Sequence, residues 1–542
     1  MTTPRTGGLG RASAILAAGT MVSRVTGLIR TIVLVQVIGA VGFASDAFSV
    51  ANQLPNDVFS LISVGVLTAV IVPQIVQAAA HKDGGNAFIS KLFTLGTVVL
   101  LLATALALLA APWLVSLVAG DAPAEQQSLA IAFAYWCLPQ ILFYGLYALI
   151  GETLNARRIF GPFTWAPIAN NVISIAGFAV ILVLFGGSLT ELSDWTPDRI
   201  AILGGLSTLG IAAQAAVLLL FWSKTGLKLR PDFRWRGVGL GNIGRLAGWT
   251  LLMAVASLAA GFYQHRIAME ASGEHPSVMV MMNAWLIFML PYSVIVHSIG
   301  TPYFTQLSEH AAAGRDDDVR ADISRSIRTL GFFLMGALAT VLAAAVPASR
   351  IFTGSPEEAE AAALVLVGYL AGLLSLAVLF IVQRTFYAYG DTRTPFIFTI
   401  FQCALIVATA YGAIVLYQND VIPLSSLAAT IALGQSVAGT VQTIVATWLL
   451  HRRLGGIHTA EWMLAILRFT LAAVPATAAG WGVFLLLGGT QGWTTANIFT
   501  GAAGCIIIAP VVLGVYVGAL ALLRAPELEV ASGVIRRFLP GR

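Results

Sequence analysis

Apolar runs of twenty or more residues follow one another along almost the whole of this chain, separated only by short polar connections. A helix needs about 20 apolar residues to cross a bilayer, and the lipid interior admits only helices or closed barrels, because every backbone polar group must be satisfied internally. Such windows fall at approximately 13–40, 44–78, 88–118, 126–154, 163–187, 199–223, 245–271, 277–309, 326–353, 358–389, 395–417, 422–450, 461–488 and 496–523. The expected fold is therefore an all-α polytopic membrane protein with 14 transmembrane helices. Composition agrees, with 58% of the 542 residues hydrophobic and only 10% charged, where a soluble domain carries roughly 25% charged residues. The first run follows a short basic stretch (Arg5, Arg11) and is too long for a signal-peptide core, so it reads as a retained span. Pro55, Pro73 and Pro291 are expected break points in the long second and eighth spans.

Charge patterning gives the orientation. Loops after even-numbered spans carry His81-Lys82 and Lys91, Arg157-Arg158, Lys224 to Arg236, Arg315 to Arg328, Arg393, and Arg452-Arg453. Loops after odd-numbered spans carry Asp121 and Glu125, Glu191 and Asp194, Glu274, Glu357-Glu358, and Asp420. Basic residues collect in cytoplasmic loops, so both termini are expected in the cytoplasm. The same rule accounts for the net charge of +5, which here does not point to nucleic acid. Cys137, Cys403 and Cys505 all fall in apolar spans, with no spacing of a metal site or disulfide framework.

The chain also repeats itself. Leu54-Pro55 in span 2 is echoed by Leu290-Pro291 in span 8, and Leu154 to Pro162 after span 4 by Phe386 to Pro395 after span 10. Repeats six spans apart keep one orientation, which makes them parallel repeats about an axis along the membrane normal. Residues 1–223 form one lobe (spans 1–6) and 224–452 a second (spans 7–12). Residues 453–524 add spans 13–14, and 525–542 form a cytoplasmic tail that can lie on the membrane surface through Arg536-Arg537. Carriers of this design hold substrate between their lobes and expose it alternately to each side.

Two arginines, Arg24 and Arg30, lie inside the first span. Each costs at least ~2.5–3.5 kcal/mol at bilayer depth, so a partner or a water-filled pathway must answer for them. Six residues place them about 9 Å apart along a helix and about 120° apart around it. Long side chains, with Gly27 between them, let both reach one cavity; for Arg24 the alternative is snorkelling to the interface. A guanidinium keeps its proton and matches phosphate with paired hydrogen bonds. Span 7 offers His265 and Arg266 to the same cavity, with an Arg266–Glu270 pair on one helix face as the competing reading. With Ser23 beside Arg24, these five are the candidate substrate-binding residues.

Asp46 reads as an N-cap of span 2 or as a gate acid that pairs with a cation of the other lobe in one state. Asp57, beside Pro55-Asn56, reads as a cation ligand at a helix break or as a partner of a span 1 arginine. His297 reads as a hydrogen-bonded interior histidine. The repeated turns with Asn155, Arg157, Arg158, Asp391 and Arg393 read as solvated basic loops or as a structural turn coupling neighbouring helices. No phosphate-binding G-x-x-x-x-G-K-[ST] loop, H-E-x-x-H or G-x-S-x-G pattern is present, so neither an ATPase nor a membrane hydrolase is expected.

The run Ser23-Arg24-Val-Thr-Gly27-Leu-Ile-Arg30, followed by Ser45-Asp46-Ala-Phe48 and Leu54-Pro55-Asn56, resembles the start of the MurJ (MviN) lipid II flippases. The segments Leu154-Asn-Ala-Arg157 to Pro162 and Gln383 to Pro395 resemble that family's loops after spans 4 and 10, and the span count matches. The resemblance implies a fold of the MOP exporter superfamily in a bacterial plasma membrane. It also implies outward translocation of undecaprenyl-diphosphate-linked disaccharide-pentapeptide, lipid II. Arg24 and Arg30 match two of the family's cavity arginines, and spans 13–14 match its groove for the lipid tail. Coupling to membrane potential or Na+ is implied, with no other cofactor and no metal site in the chain itself. Cell-wall synthesis or division proteins are implied as partners. Two family arginines are absent: Val58-Phe59-Ser60 stands where one follows Leu-Pro-Asn, and Leu286 where another precedes Pro291. Three alternatives accompany the flippase reading: export of another polyprenyl-linked oligosaccharide, cation-coupled drug export, and a transport-inactive cell-wall scaffold.

Overall fold

The computed structural model describes residues 7–63, 85–157, 159–187, 189–234 and 244–529. Pro73, His81, Lys82, Arg158, Arg236, Arg536, Arg537 and the second half of the expected span 2 lie outside them. The described chain is helical throughout and contains no strand. It divides into two compact units, Met1–Gly273 and Glu274–Arg542. The first holds α1 (Gly7–Ile38), α2 (Phe43–Ile62), α3 (Asn86–Leu109), α4 (Ala111–Ala119), α5 (Ala124–Cys137), α6 (Gln140–Ala156), α7 (Gly161–Phe185), α8 (Pro197–Leu219) and α9 (Gly244–Ala268). The second holds α10 (Val278–Ala312), α11 (Asp316–Ala343), α12 (Ala345–Arg350), α13 (Pro356–Leu370), α14 (Leu373–Ala388), α15 (Arg393–Gln418), α16 (Leu427–Leu454), α17 (Thr459–Leu486) and α18 (Ile498–Leu522).

Twelve described segments are long and apolar enough to cross a membrane. α2 and α9 fall where spans 2 and 7 are expected, so the helices are consistent with 14 spans. In the first unit α1 packs on α7, α7 on α8, α2 on α5 and α3 on α6. Helices in lipid gain no hydrophobic drive toward each other and associate through close packing at small residues. The α3–α6 crossing illustrates this: a Cβ on Gly145 would lie 2.2 Å from Leu100, and one on Gly96 2.9 Å from Leu149. In the second unit α11 packs on α17, α17 on α18 and α15 on α16.

Pro55 and Pro291, expected as break points, each lie inside an unbroken helix. A proline removes one donor and fixes φ near the helical value, and a membrane helix can absorb that loss. The breaks fall elsewhere, and they fall in pairs. Span 3 divides at Ala110 and span 9 at Ala344; span 4 divides at Leu138-Pro139 and span 10 at Ala371-Gly372. The two members of each pair are about 233 residues apart, the period of the sequence repeat.

The carbonyls freed at the second pair of breaks find equivalent donors. Thr208 of α8 donates its hydroxyl to Trp136 O at 2.6 Å, and Ser436 of α16 donates to Gly368 O at 2.7 Å and, at 3.0 Å, to Tyr369 O, which also accepts from Gly372 N–H. In each unit the sixth span of the repeat thus satisfies the break in the fourth. Gly372 is required there, since a Cβ would meet Ser436 Oγ at 2.9 Å. The loops after the broken spans also share a closure: Ile159 N–H donates to Leu154 O at 2.9 Å and Asp391 N–H to Phe386 O at 3.0 Å. The repeat read from Leu154 to Pro162 and Phe386 to Pro395 is therefore one turn built twice.

Candidate functional site

α1 runs unbroken through Gly27. Its docking on α7 is set by Asn171, whose amide donates to Ser23 O at 3.0 Å and to Thr26 Oγ1 at 2.9 Å. A Cβ on Gly27 would stand 3.6 Å from that amide, an ordinary contact distance, so Asn171 lies against α1 at this point without requiring glycine there. A buried asparagine in an apolar helix must find partners, and here it fixes the Ser23–Gly27 segment. Ser23 thus contributes its carbonyl to helix docking.

Arg24 is exposed and Arg30 is half-buried on α1. Among the described residues neither guanidinium has an ion-pair partner. Arg30 lies within electrostatic reach of Tyr144 on α6, and Tyr144 stacks on Phe59 of α2 with ring centroids 5.7 Å apart. Phe59 belongs to the segment where a family arginine would stand, so an aromatic pair occupies the neighbourhood of Arg30. On α2, Pro55 is buried and Asn56 exposed. Asp57 accepts from Gln53 Nε2 at 2.9 Å, with no salt bridge to Arg24 or Arg30 among the described contacts. Leu286, at the other substituted position, is half-buried on α10.

The start of α2 carries a buried polar cluster. Gly42, not Asp46, is the N-cap residue, and Asp46 sits in the first turn, where the helix dipole favours an acid. The Asp46 carboxylate accepts from Ser272 Oγ at 2.7 Å, and Gln126 of α5 donates to the same hydroxyl at 2.7 Å and to Phe43 O at 3.1 Å. Ser272 lies in the turn after α9, so Asp46 ties the end of span 7 to the beginning of span 2. Arg266 on α9 pairs with Asp121 at 3.4 Å, and no pair to Glu270 is found among the described residues. Its aliphatic stem lies over Gly120, where the main chain turns with φ near 60°. His265 is half-buried. His297 is exposed on α10, edge-on to Tyr292 and Phe380, and is not the interior residue expected.

In the second unit the repeated turn carries an ionic network. Asp391 accepts from Thr394 N at 3.0 Å, Thr394 Oγ1 at 2.8 Å and Arg453 Nη1 at 2.6 Å. Partial burial pushes this carboxyl up, and the Thr394 donors with Arg453 outweigh it, holding Asp391 below the ordinary range. Arg453 also lies over the Tyr389 ring at 5.1 Å, and the Tyr389 hydroxyl donates to Asp316 at 2.5 Å. The turn after span 10 is thereby fastened to the start of α11 and the end of α16.

A family model described as lipid II flippase MurJ matches residues 34–501. The chain belongs to the lipid II flippase MurJ family. A probable lipid II flippase MurJ of Rhizobium meliloti is 27% identical over 541 residues, with 96% of each chain covered. Another, from Synechocystis, is 23% identical over 532 residues, again with 96% of each covered. The fold matches a solved lipid II flippase MurJ in an inward closed conformation at TM-score 0.68 and 18% identity, covering 92% of this chain and 98% of that one. It also matches an inward-facing multidrug resistance MATE transporter of the MOP superfamily at TM-score 0.65 and 16% identity, covering 82% and 98%. The MurJ family moves lipid II across the bacterial inner membrane, so the chain is a multi-pass membrane transporter and not an enzyme.

Sequence reasoning singled out Arg24, Arg30 and Asp46 but missed Tyr144, Asn171, Gln126 and Ser272. An available signal was the cost of a lone amide or hydroxyl in an apolar span, which requires a partner on another helix.

Proposed function

We propose that this chain flips lipid II from the inner to the outer leaflet by alternating access, with Arg24 and Arg30 gripping the diphosphate. The observation that carries the assignment of residues is that both guanidiniums lie on a membrane helix with no carboxylate paired to them among the described residues. An arginine that meets no acid within the protein is free to meet an anion brought by the substrate. Both termini are cytoplasmic in this reading, because the basic loops lie on one side. The lipid tail lies along the apolar face of α17. Grooves of about 670 Å³, beside Val378, Ile444 and Trp462, and about 500 Å³, beside Met335, Leu338 and Val474, support that placement. Asp46, held by Ser272, acts as the latch at the end of span 7. Wall-synthesis partners and coupling to membrane potential or Na+ belong to the same proposal.

The test is depletion of the chain in its host, with lipid II assayed on each leaflet, followed by rescue with Arg24→Ala or Arg30→Ala. Accumulation on the inner leaflet with failed rescue is expected. Full rescue by both variants removes the diphosphate role, and no accumulation on depletion removes the flippase reading.

A further inference from the structure

The first turns of α11 are crowded with charge, and nearly all of it is matched. Asp316 accepts from Tyr389, Asp317 pairs with Arg320 at 2.8 Å, Asp318 with Arg315 at 3.1 Å, and Asp322 lies 2.8 Å from His310 Nδ1. Arg328 grips Glu527 through Nε at 2.8 Å and Nη2 at 2.6 Å, and Arg468 approaches the other oxygen of the same carboxylate at 4.0 Å. Arg325 stands apart. It is exposed, and its guanidinium has no partner among the described residues.

Arg325 and Arg328 line one cavity of about 340 Å³ within the second unit. That size lies in the range of small-ligand sites. Tyr303 of α10 and the start of α17 complete the wall, and Phe332 and Phe333 supply an apolar surface. The carboxylates at the cavity are engaged: Glu527 by Arg328, and Glu461 by His458 at 3.2 Å and Ser324 at 3.4 Å. The donors left over are the Arg325 fork, Arg328 Nη1 and the Tyr303 hydroxyl, for which no partner is found among the described residues. The cavity thus combines surplus cationic donors with an aromatic surface at the basic end of a membrane helix pair.

We infer that this pocket binds the phosphate of a lipid headgroup, with Arg325 and Arg328 as its ligands and Phe332 and Phe333 beneath the start of the chain. Planar guanidinium forks match phosphate oxygens in pairs, and basic pockets between membrane helices are places where anionic headgroups settle. The inference is independent of the role proposed for Arg24 and Arg30, which lie in the other unit.

The test uses the full chain carrying Arg24→Ala and Arg30→Ala, in nanodiscs of uncharged lipid, so that the α1 arginines contribute nothing to binding. Three probes are titrated: a polyprenyl diphosphate, phosphatidylglycerol and inorganic diphosphate. At least one lipid is expected to bind about tenfold or more tighter than inorganic diphosphate, and Arg325→Ala to weaken that lipid by about tenfold. Arg325→Lys is expected to recover part of the loss. The lipid that binds tighter names the source of the phosphate. Equal binding of the lipids by the background and its Arg325→Ala derivative overturns the inference, as does inorganic diphosphate binding as tightly as both lipids. Arg325 is exposed, and an unchanged melting curve shows that its variants fold.

Discussion

The paired breaks make a prediction that follows from the repeat itself. Ser436→Ala removes the hydroxyl that serves Gly368 O and Tyr369 O at the span 10 break; Tyr369 O keeps the Gly372 N–H at 2.9 Å, so it is Gly368 O that loses its donor. Hydrogen bonds between membrane helices average ~0.6 kcal/mol and reach ~1.7, and a buried polar group left unsatisfied costs about 1–3. Ser436 is buried, and Gly368 O beside it is left without its hydroxyl, which places the expected loss at about 1–2 kcal/mol. Thr208→Val is the matching change at span 4, where Trp136 O loses its donor at a less buried position. Gln140 loses its 3.2 Å contact to Thr208 as well but keeps Asn52 at 3.3 Å. Thr208→Val is therefore expected to cost less, about 0.5–1 kcal/mol. Ser436→Val is expected to cost more than Ser436→Ala, because its added methyls press on Gly372. Denaturant titration of the purified protein in mixed micelles measures all three. A Ser436→Ala variant as stable as the parent, or one less affected than Thr208→Val, refutes the claim that these hydroxyls hold the breaks.

Other contacts give sharper local tests. Arg350 is buried and donates to Thr495 O at 2.7 Å, Ala496 O at 3.1 Å and Thr353 O, so Arg350→Met leaves three carbonyls unserved. A loss of about 3 kcal/mol or more is expected, with proteolysis near 489–497 quickening as α18 loosens from α12. Asp391 has a folded value below its unfolded value near ~3.9. Its stabilising contribution is whole above the unfolded value and is lost as pH falls through the folded one. Asp391→Asn is therefore expected to be less stable than the parent at neutral pH, with the difference narrowing in acid melts. The Arg266–Asp121 pair is exposed on both sides, so Arg266→Ala is expected to cost no more than about 1 kcal/mol. The exchange Arg266→Asp with Asp121→Arg should restore what either change removes, whereas a substrate contact by Arg266 would leave transport impaired in the exchanged protein.

The frame was legible because lipid enforces it. Windows of apolar residues correspond to the described helices, with α3 and α4 covering 88–118 and α13 and α14 covering 358–389 to within two residues. Their internal breaks were not singled out, although Pro112, Pro139 and Pro347 lie at or just after three of them and Gly372 at the fourth; proline alone does not settle the matter, since Pro55 and Pro291 stand in unbroken helices. Whether a helix parts there depends on whether another helix supplies donors, as Thr208 and Ser436 do. Proline misled for the same reason: the missing hydrogen bond at Pro55 or Pro291 is a small cost when the rest of the helix is packed. The segment from Lys224 reads in the sequence only as a basic cytoplasmic loop. In the structure Lys228, Arg230 and Asp232 donate alternate backbone N–H groups to Asn86, Ser90 and Thr94 along α3. Two residues of extended chain advance about 6.6 Å and four helical residues about 6 Å, so the two periods run nearly in step. Nothing in either segment alone announces the match.

The candidate site was legible in its charges and opaque in its neutral partners. An arginine in an apolar span is conspicuous by its cost, and Arg24 and Arg30 needed no structure to be singled out. Tyr144 and Phe59 are ordinary core residues until the fold brings them beside Arg30. That neighbourhood bears on the two absent family arginines. In the proposed grip, a diphosphate esterified at both ends carries about two negative charges, which the guanidiniums of Arg24 and Arg30 would balance. A third cation in a low-dielectric cavity would be answered only while substrate is bound, and would be exposed to its full desolvation cost in the empty carrier. A stacked tyrosine and phenylalanine supply a hydroxyl and an apolar wall at no such cost. On this argument Phe59→Arg should tighten substrate binding and slow release. Slower turnover at saturating substrate, with Tyr144→Phe left near the parental rate, is the expected pattern. Faster turnover by Phe59→Arg would show that two cations are too few.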